Sequence, residues 1–221
     1  MHLIHTAGVE GVGHHGVDPV LMRSLDSLLG DKFVHLPKIM DYRNYSHTTE
    51  RFDFEQLLNL HESFGFFSYS YPSGMKNRTP TSFRDLVRTA RHLTREGHSL
   101  SVIYLRRTMY NALLSKWRPD GSIVNHARVT RDAHNYLEYA TRILADLGVS
   151  VYPLWYENAT SESIGNILTQ ITGVDAIDVT RHVYDTIFKR STRDYTQQLS
   201  NEQIAEINEA FPGVHQIHPD Q

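Results

Sequence analysis

Short apolar runs alternate along the chain with longer stretches in which apolar residues recur every three or four positions. The clearest run is LSVIYL at 100–105, which is β-branched and bounded by polar residues, as expected of a buried strand. The clearest periodic stretch is 127–147, where apolar residues fall at helical intervals and Gly148 follows. Strands are predicted over 2–7, 32–39, 65–74, 100–105 and 149–156. Helices are predicted over 14–29, 52–64, 81–96, 108–117, 127–147, 161–173 and 200–211.

This alternation of strands and helices predicts an α/β fold, a three-layer sandwich around a central, mainly parallel sheet. The 221 residues suit one domain with a sizeable core. The first strand, the glycine-rich loop after it and the helix that follows have the outline of a P-loop unit. We therefore expect a single α/β domain of P-loop type over 1–221.

Composition and charge narrow the classes of protein. The net charge of −3 gives no excess of positive charge that would favour nucleic-acid binding. The chain also has no run of about 18 apolar residues that would predict a membrane span. The start MHLIHTAG is too short and too polar for a secretory signal, and cysteine is absent. We expect a soluble, cytoplasmic protein without nucleic-acid or membrane partners, with a trimmed luminal fragment as the alternative. The 14 histidines are scattered without metal-ligand spacing, so no metal is expected.

The sequence AGVEGVGHH (7–15) holds the first candidate motif. Gly8 to His15 spell G-x-x-x-x-G-H-H, the outline of a phosphate-binding loop with two histidines in place of the usual Lys-Ser/Thr. Its glycines would let several backbone N–H groups converge on an anion at the positive end of the following helix. Neutral imidazole brings neither a fixed charge nor a hydroxyl for Mg²⁺, which disfavours a kinase or a nucleotide hydrolase. The alternative is a glycine-rich turn with surface histidines.

The stretch SVIYLRRTMYNALLSKW (101–117) supplies a second candidate for anion binding. A strand ends in Arg106 and Arg107, and Ser115 follows Arg107 across a helical stretch. This arrangement resembles the 3′-phosphate-binding segment of the sulfotransferases that use 3′-phosphoadenylyl sulfate (PAPS). An arginine fork can bind a phosphate through two hydrogen bonds, and a serine hydroxyl adds a third donor.

Three further segments resemble elements of the same family in order and spacing. They are LWYENAT (154–160), ESIGNILTQITGVD (162–175) and KRSTRDYTQQLSNEQIAEINEAF (189–211). The resemblance implies a sulfotransferase-like domain that uses PAPS, releases adenosine 3′,5′-bisphosphate and needs no metal. The implied acceptor is a hydroxyl of a carbohydrate or a small molecule. The residues implied to hold the donor are Gly11, Val12, Gly13, His14, His15, Arg107, Ser115, Tyr156 and either Arg190 or Arg193.

The phosphate loop departs from the family pattern. Gly11 and Val12 stand where the family has Lys or Arg and then Ser, and His14 and His15 replace two threonines. The charged residue expected beside the bridging oxygen is therefore missing. His14 or His15 is the candidate for a cationic or proton-sharing contact near neutral pH, because imidazole titrates in that range. An exposed histidine pair at a helix start is the alternative.

The group that activates the acceptor is a second departure. By position, SYSYP (68–72) puts Ser70 where many members carry His, and serine is a poor general base at neutral pH. The candidate bases from the 50–62 region are Glu50, Asp53, Glu55 and His61, with the solvated or capping face of a helix as the alternative role. An aromatic cluster in the neighbouring segment is either a stacking surface for the acceptor or core packing. Its members are Phe66, Phe67, Tyr69 and Tyr71.

Two other functions stay open at this point. A degenerate member of the same fold would hold a nucleotide without turnover, and the missing loop cation and missing histidine favour it. A small-molecule kinase on a related scaffold would need a loop lysine and a carboxylate at the end of the strand at 100–105. The sequence has neither.

Overall fold

Parallel strands form the middle layer of the structure, a computed structural model that describes residues 1–35, 63–71, 86–115, 121–191, 197 and 199–219. The described strands are β1 (His2–Val9), β2 (Phe33–His35), β3 (Phe64–Tyr71), β4 (Ser99–Arg106) and β5 (Ser150–Trp155). They pair in the order β2-β3-β1-β4-β5, and every pair is parallel. The central strand β1 and its neighbour β4 are almost wholly buried, as expected of parallel strands covered on both faces.

Helices cover both faces of this sheet. The described helices are α1 (His14–Leu29), α2 (Leu86–Arg95), α3 (Met109–Leu114), α4 (Ile123–Asp146), α5 (Ser161–Thr172), α6 (Ile177–Ile187) and α7 (Asn201–Ala210). Helix α1 packs against β2, β3 and α6, whereas α4 packs against β1, β5 and α7. The predicted three-layer α/β sandwich with a parallel central sheet is confirmed.

The two halves of the sheet diverge between β1 and β4. From β1 the chain passes through α1 to β2 on one side, and from β4 it passes through α3 and α4 to β5 on the other. Neighbouring strands whose connections leave in opposite directions open a crevice at their carboxyl ends, and open α/β sheets bind ligands there. The loop after β1 and the residues after β4 therefore meet at this crevice.

Local sequence signals account for several helix ends. Helix α1 spans the predicted 14–29 and stops at Gly30, which takes a φ of +53°. At α7 the predicted capping box is present: the Ser200 hydroxyl accepts from the Gln203 amide at 3.2 Å, and the Gln203 side chain accepts from the Ser200 amide at 3.0 Å. Helix α6 is not among the predicted elements, although its apolar residues have helical spacing. The helix predicted over 52–64 falls almost entirely outside the described residues.

Three aromatic side chains of β3 belong to the core. Phe66, Phe67 and Tyr71 are each no more than 3% exposed, and the Phe67 ring stacks on that of His5 at 4.2 Å between centroids. Core packing is therefore their role, and not stacking on an acceptor. No helix within the described part of the chain is both long and apolar enough to cross a membrane.

Candidate functional site

The loop after β1 approaches its neighbours closely at its glycines. Gly11 and Gly13 have φ values of +96° and +109°, in the region that favours glycine. A Cβ atom on Gly13 would lie less than 3.0 Å from the ring of Tyr156, and one on Gly11 would collide with the carbonyl of Ala112. The backbone conformation and the lack of space both require glycine here, so the loop lies between α3 on one side and Tyr156 on the other.

Backbone amides of this loop form a cradle at the start of α1. Within the described part of the chain, the amides of Gly11, Gly13, His14 and His15 have no hydrogen-bond acceptor. Left-handed glycines beside a helix N-terminus arrange such amides around a common anion. The amide of Val12, in contrast, donates to the Val9 carbonyl at 3.2 Å. The Val12 amide is therefore engaged within the turn, whereas the resemblance implied it as a donor to the 5′-phosphate.

Arg107 and Ser115 meet at a single oxygen of that loop. Arg107 donates from Nη1 to the Gly11 carbonyl at 3.0 Å, and the Ser115 hydroxyl lies 3.4 Å from the same oxygen and donates to Ala112 at 2.9 Å. The Arg107 side chain is only 6% exposed, and its Nε lies 4.0 Å from a carboxylate oxygen of Glu157. The pair predicted eight residues apart, at 107 and 115, is thus brought together against the glycine loop.

Tyr156 forms the opposite wall of the site. Its ring lies 4.9 Å from the Arg107 guanidinium carbon and 5.9 Å from the Phe188 ring centre. Its hydroxyl accepts a hydrogen bond of 2.8 Å from the amide of Ser191. Tyr156 therefore connects the glycine loop, the end of β4 and the segment after α6.

These elements enclose a cavity of about 410 Å³ at the crevice between β1 and β4. This volume lies within the range of about 300–1,000 Å³ typical of small-molecule sites. The cavity is lined by Glu10, Gly11, Gly13, His14, His15, Gly16, Ser70, Arg107, Ser115, Tyr156 and Lys189. Two fixed cations against one carboxylate, together with the amide cradle, favour an anionic ligand.

Several predicted residues lie elsewhere. Arg190 donates to the Ala159 carbonyl and to the Tyr184 hydroxyl, at 3.4 Å for the latter, and it is the preceding Lys189 that lines the cavity. Ser70 pairs with Gly8 in the β1–β3 register and lines the cavity, as its position in the sequence indicated. The remaining candidates lie outside the described residues: Glu50, Asp53, Glu55, His61 and Arg193.

A polar cluster beneath the loop is absent from the sequence predictions. His14 is buried, and its Nδ1 lies 3.2 Å from Asp18 Oδ2 and 3.0 Å from the Ser68 hydroxyl. Ser68 donates to the same Asp18 oxygen at 2.5 Å, and Thr6 donates to the other carboxylate oxygen at 2.9 Å. The spacing of His14 and Asp18, one helical turn apart, is the signal that could have identified the pair.

The cavity lies at the carboxyl edge of the parallel sheet, and its lining makes it a candidate anion-binding site. No protein-family model, no curated protein and no solved structure matches the chain.

Proposed function

We propose that the chain is a PAPS-dependent sulfotransferase that transfers a sulfuryl group to a hydroxyl of a carbohydrate or a small molecule. The observation that carries the proposal is the convergence of Arg107, Ser115 and the glycine-loop amides on one cavity. A donor with phosphates at its 3′ and 5′ positions needs two anion sites at a fixed separation. The cavity offers two such groups of donors side by side.

The 5′ end of the donor fits the amide cradle. Oriented N–H groups at a helix start bind phosphate without a side-chain cation, and α1 is long enough, at 16 residues, to develop a helix dipole. This supports a role for the loop even though Gly11 and Val12 replace the family's cation and serine. Lys189 lines the same cavity and adds a positive charge from the segment after α6.

The 3′-phosphate fits the Arg107–Ser115 pair. A guanidinium carries five N–H donors in a fixed fork, so Arg107 can keep its bond to Gly11 and still meet a phosphate. The Ser115 hydroxyl donates to the Ala112 carbonyl and can rotate to offer that hydrogen to the phosphate instead. Stacking against Tyr156 fixes the plane of the fork, which reduces the entropy lost when a ligand binds.

The reaction requires positioning and charge stabilisation more than a special reagent. The acceptor oxygen forms a bond to sulfur while the bond from sulfur to the bridging oxygen breaks, and the electron pair leaves on the 5′-phosphate. Amides aimed at that phosphate stabilise the developing charge. The acceptor's proton must also be removed, and among the described cavity-lining residues Glu10 and His15 carry groups that can accept it.

Binding without turnover is the second candidate function. It is favoured by the lack of a lysine or arginine within the loop at 8–13. The two functions share the same ligand, so a binding measurement comes first and a transfer assay separates them.

The binding test is calorimetry with adenosine 3′,5′-bisphosphate in metal-free buffer. Arg107→Ala is expected to weaken binding about 10- to 100-fold, the equivalent of about 1.5–3 kcal/mol for hydrogen bonds to a charged group. Affinity for adenosine 5′-monophosphate, which lacks the 3′-phosphate, should change much less. Arg181→Ala is the matched control, because Arg181 pairs with Asp178 at 2.7 Å on the exposed surface of α6.

The outcomes separate the hypotheses. Failure of the native protein to bind the bisphosphate would overturn the proposal. Equal losses for both nucleotides in Arg107→Ala would remove Arg107 from the 3′-phosphate site. With binding established, transfer of labelled sulfate from PAPS to a panel of sugar and small-molecule hydroxyls tests turnover, and binding without any transfer would favour the second candidate.

A further inference from the structure

His14 is held in one orientation by side chains from three elements. Asp18 on α1, Ser68 on β3 and Thr6 on β1 form the cluster described above, and the side chains of His14 and Asp18 are only 8% and 15% exposed. The Asp18 carboxylate accepts hydrogen bonds from Thr6 and Ser68 and lies 3.2 Å from His14 Nδ1. The imidazole therefore has a fixed negative partner on its Nδ1 side.

The hydrogen-bond donors available in this cluster determine which ring nitrogen of His14 carries the hydrogen. Ser68 has one O–H, and its 2.5 Å contact assigns that hydrogen to Asp18. The carboxylate can only accept, so the contacts of His14 Nδ1 with Ser68 and Asp18 require Nδ1 to be the donor. In neutral His14 the Nε2 atom then carries the lone pair, and in the imidazolium it carries an N–H.

The Nε2 atom of His14 is buried and has no hydrogen-bond partner among the described residues. The residue is 7% exposed, lines the cavity and adjoins the amide cradle. A lone pair at this position would repel the oxygens of a bound phosphate, whereas an N–H would donate to them. The ligand therefore favours the protonated ring.

Building on the proposed function, we propose that the His14–Asp18 pair couples phosphate binding to the uptake of one proton, which replaces the fixed cation that the loop lacks. Solvent supplies the proton to Nε2 when the ligand binds, and the proton returns to solvent on release. Asp18 is the positioning residue, since it holds Nδ1–H and stabilises the positive ring. The charged and titratable groups around the pair are Glu10, His15, His35, Arg107, Tyr156 and Lys189.

The test measures binding of adenosine 3′,5′-bisphosphate at about pH 6, 7 and 8, the range in which imidazole changes charge. If binding takes up one proton, the affinity falls by up to about tenfold for each unit by which the pH rises. Enthalpies in buffers with different heats of ionisation give the number of protons taken up. The proteins compared are the native chain, His14→Gln, Asp18→Asn and His182→Gln, the last a control because His182 is exposed on α6.

The ligand's own phosphates titrate in the same way in all four experiments. The role of His14 is therefore judged from the differences in pH profile and proton uptake between the proteins. We expect His14→Gln to bind with a flatter pH profile and lower proton uptake, Asp18→Asn to lie between, and His182→Gln to match the native chain. Binding by both the native chain and His14→Gln with identical profiles would overturn this inference alone. Failure of the native chain to bind would overturn the proposed function and this inference with it.

A second readout needs no variant. In ¹⁵N-histidine-labelled native protein, the Nε2 resonance of His14 should shift from the unprotonated to the protonated position when the bisphosphate is added at about pH 7.5. An Nε2 that stays unprotonated in the saturated complex would contradict the proposal, even if the variants fail to fold.

Discussion

The guanidinium of Arg107 lies 4.9 Å from the centre of the Tyr156 ring, while its Nη1 donates to the Gly11 carbonyl at 3.0 Å. The segments that follow β1 and β5, two strands that do not pair, thus hold the buried Arg107 between the Tyr156 ring and the Gly11 carbonyl. Glu157, the residue after Tyr156, approaches the remaining side of the same group at 4.0 Å. The cation is therefore fixed in place by the protein itself, before any ligand contributes.

Replacing Glu157 tests whether this fixation affects binding. Glu157 Oε1 accepts from the Thr108 amide at 2.9 Å and faces Arg107. In Glu157→Gln the amide oxygen keeps the first contact and the charge on the second is lost. Calorimetry should show adenosine 3′,5′-bisphosphate bound about 3- to 10-fold more weakly, the scale of a partly buried charge contact. Glu162→Gln, at the exposed first turn of α5, is the control and should bind normally.

A methyl group on Gly13 tests the close approach to Tyr156. Gly13→Ala should lower the free energy of unfolding by about 2–4 kcal/mol and abolish bisphosphate binding, because strain at positive φ and the clash with the ring combine. Gly97→Ala provides the comparison, since Gly97 also has a positive φ but a methyl group added there would meet no atom within 4 Å. Urea unfolding of both variants checks this, and equal losses would show that the ring contact is unimportant.

Removing the Tyr156 hydroxyl tests the link to the segment after α6. Tyr156→Phe loses the acceptor for the Ser191 amide, a cost of about 1 kcal/mol in unfolding free energy. Because Lys189 lies in that segment and lines the cavity, bisphosphate affinity should also fall several-fold. Tyr184→Phe loses a hydroxyl that donates to Ala159 at 2.8 Å and accepts from Arg190 at 3.4 Å, and neither partner lines the cavity. It should lose similar stability while keeping its affinity, and a matching loss of affinity would contradict the prediction.

Buried His134 should make the fold sensitive to mild acid. Burial lowers the pKa of His134, and its ring packs 5.9 Å from that of Phe211. Below the ordinary histidine pKa of about 6.5 the unfolded chain binds this proton more readily than the native one, so stability falls as the pH drops. Urea unfolding at about pH 7.5 and 5.5 should show a smaller loss for His134→Gln than for the native chain. Equal losses of unfolding free energy in the two proteins would contradict this prediction. Burial also lowers the pKa of His2, so His2 should account for part of the pH dependence that remains in His134→Gln.

The parts of the site that could be predicted from sequence are local ones. The glycine loop, the start of α1 and the spacing from Arg107 to Ser115 each lie within one short segment, where turn chemistry and helical periodicity decide the geometry. The His14 cluster depends on Ser68 and Thr6, which come together through the parallel register of β1 with β3. Register of this kind is fixed by the whole sheet, and a single segment does not reveal it.

The structure differs from the sequence prediction at two further places, helix α6 and Arg190, and both differences have physical causes. Helix α6 has Ala176 at its N-cap, where no side chain caps the helix, so the usual start signal is missing. Arg190 is drawn to the Ala159 carbonyl and stacks near Phe188, leaving Lys189 to face the cavity. Which of two adjacent basic residues faces inward depends on packing around α6, and composition alone does not decide it.

The carbonyl of Gly11 accepts from Arg107 at 3.0 Å and lies 3.4 Å from the Ser115 hydroxyl, while the amide of the next residue donates to the Val9 carbonyl. One peptide plane is thus clamped on both edges, with a cradle of amides on one side and a guanidinium on the other. The distance between the two groups of donors is set by this single rigid unit. In the proposed site this peptide plane therefore selects ligands by the distance between their two phosphates. That selection does not depend on contacts with the adenine base.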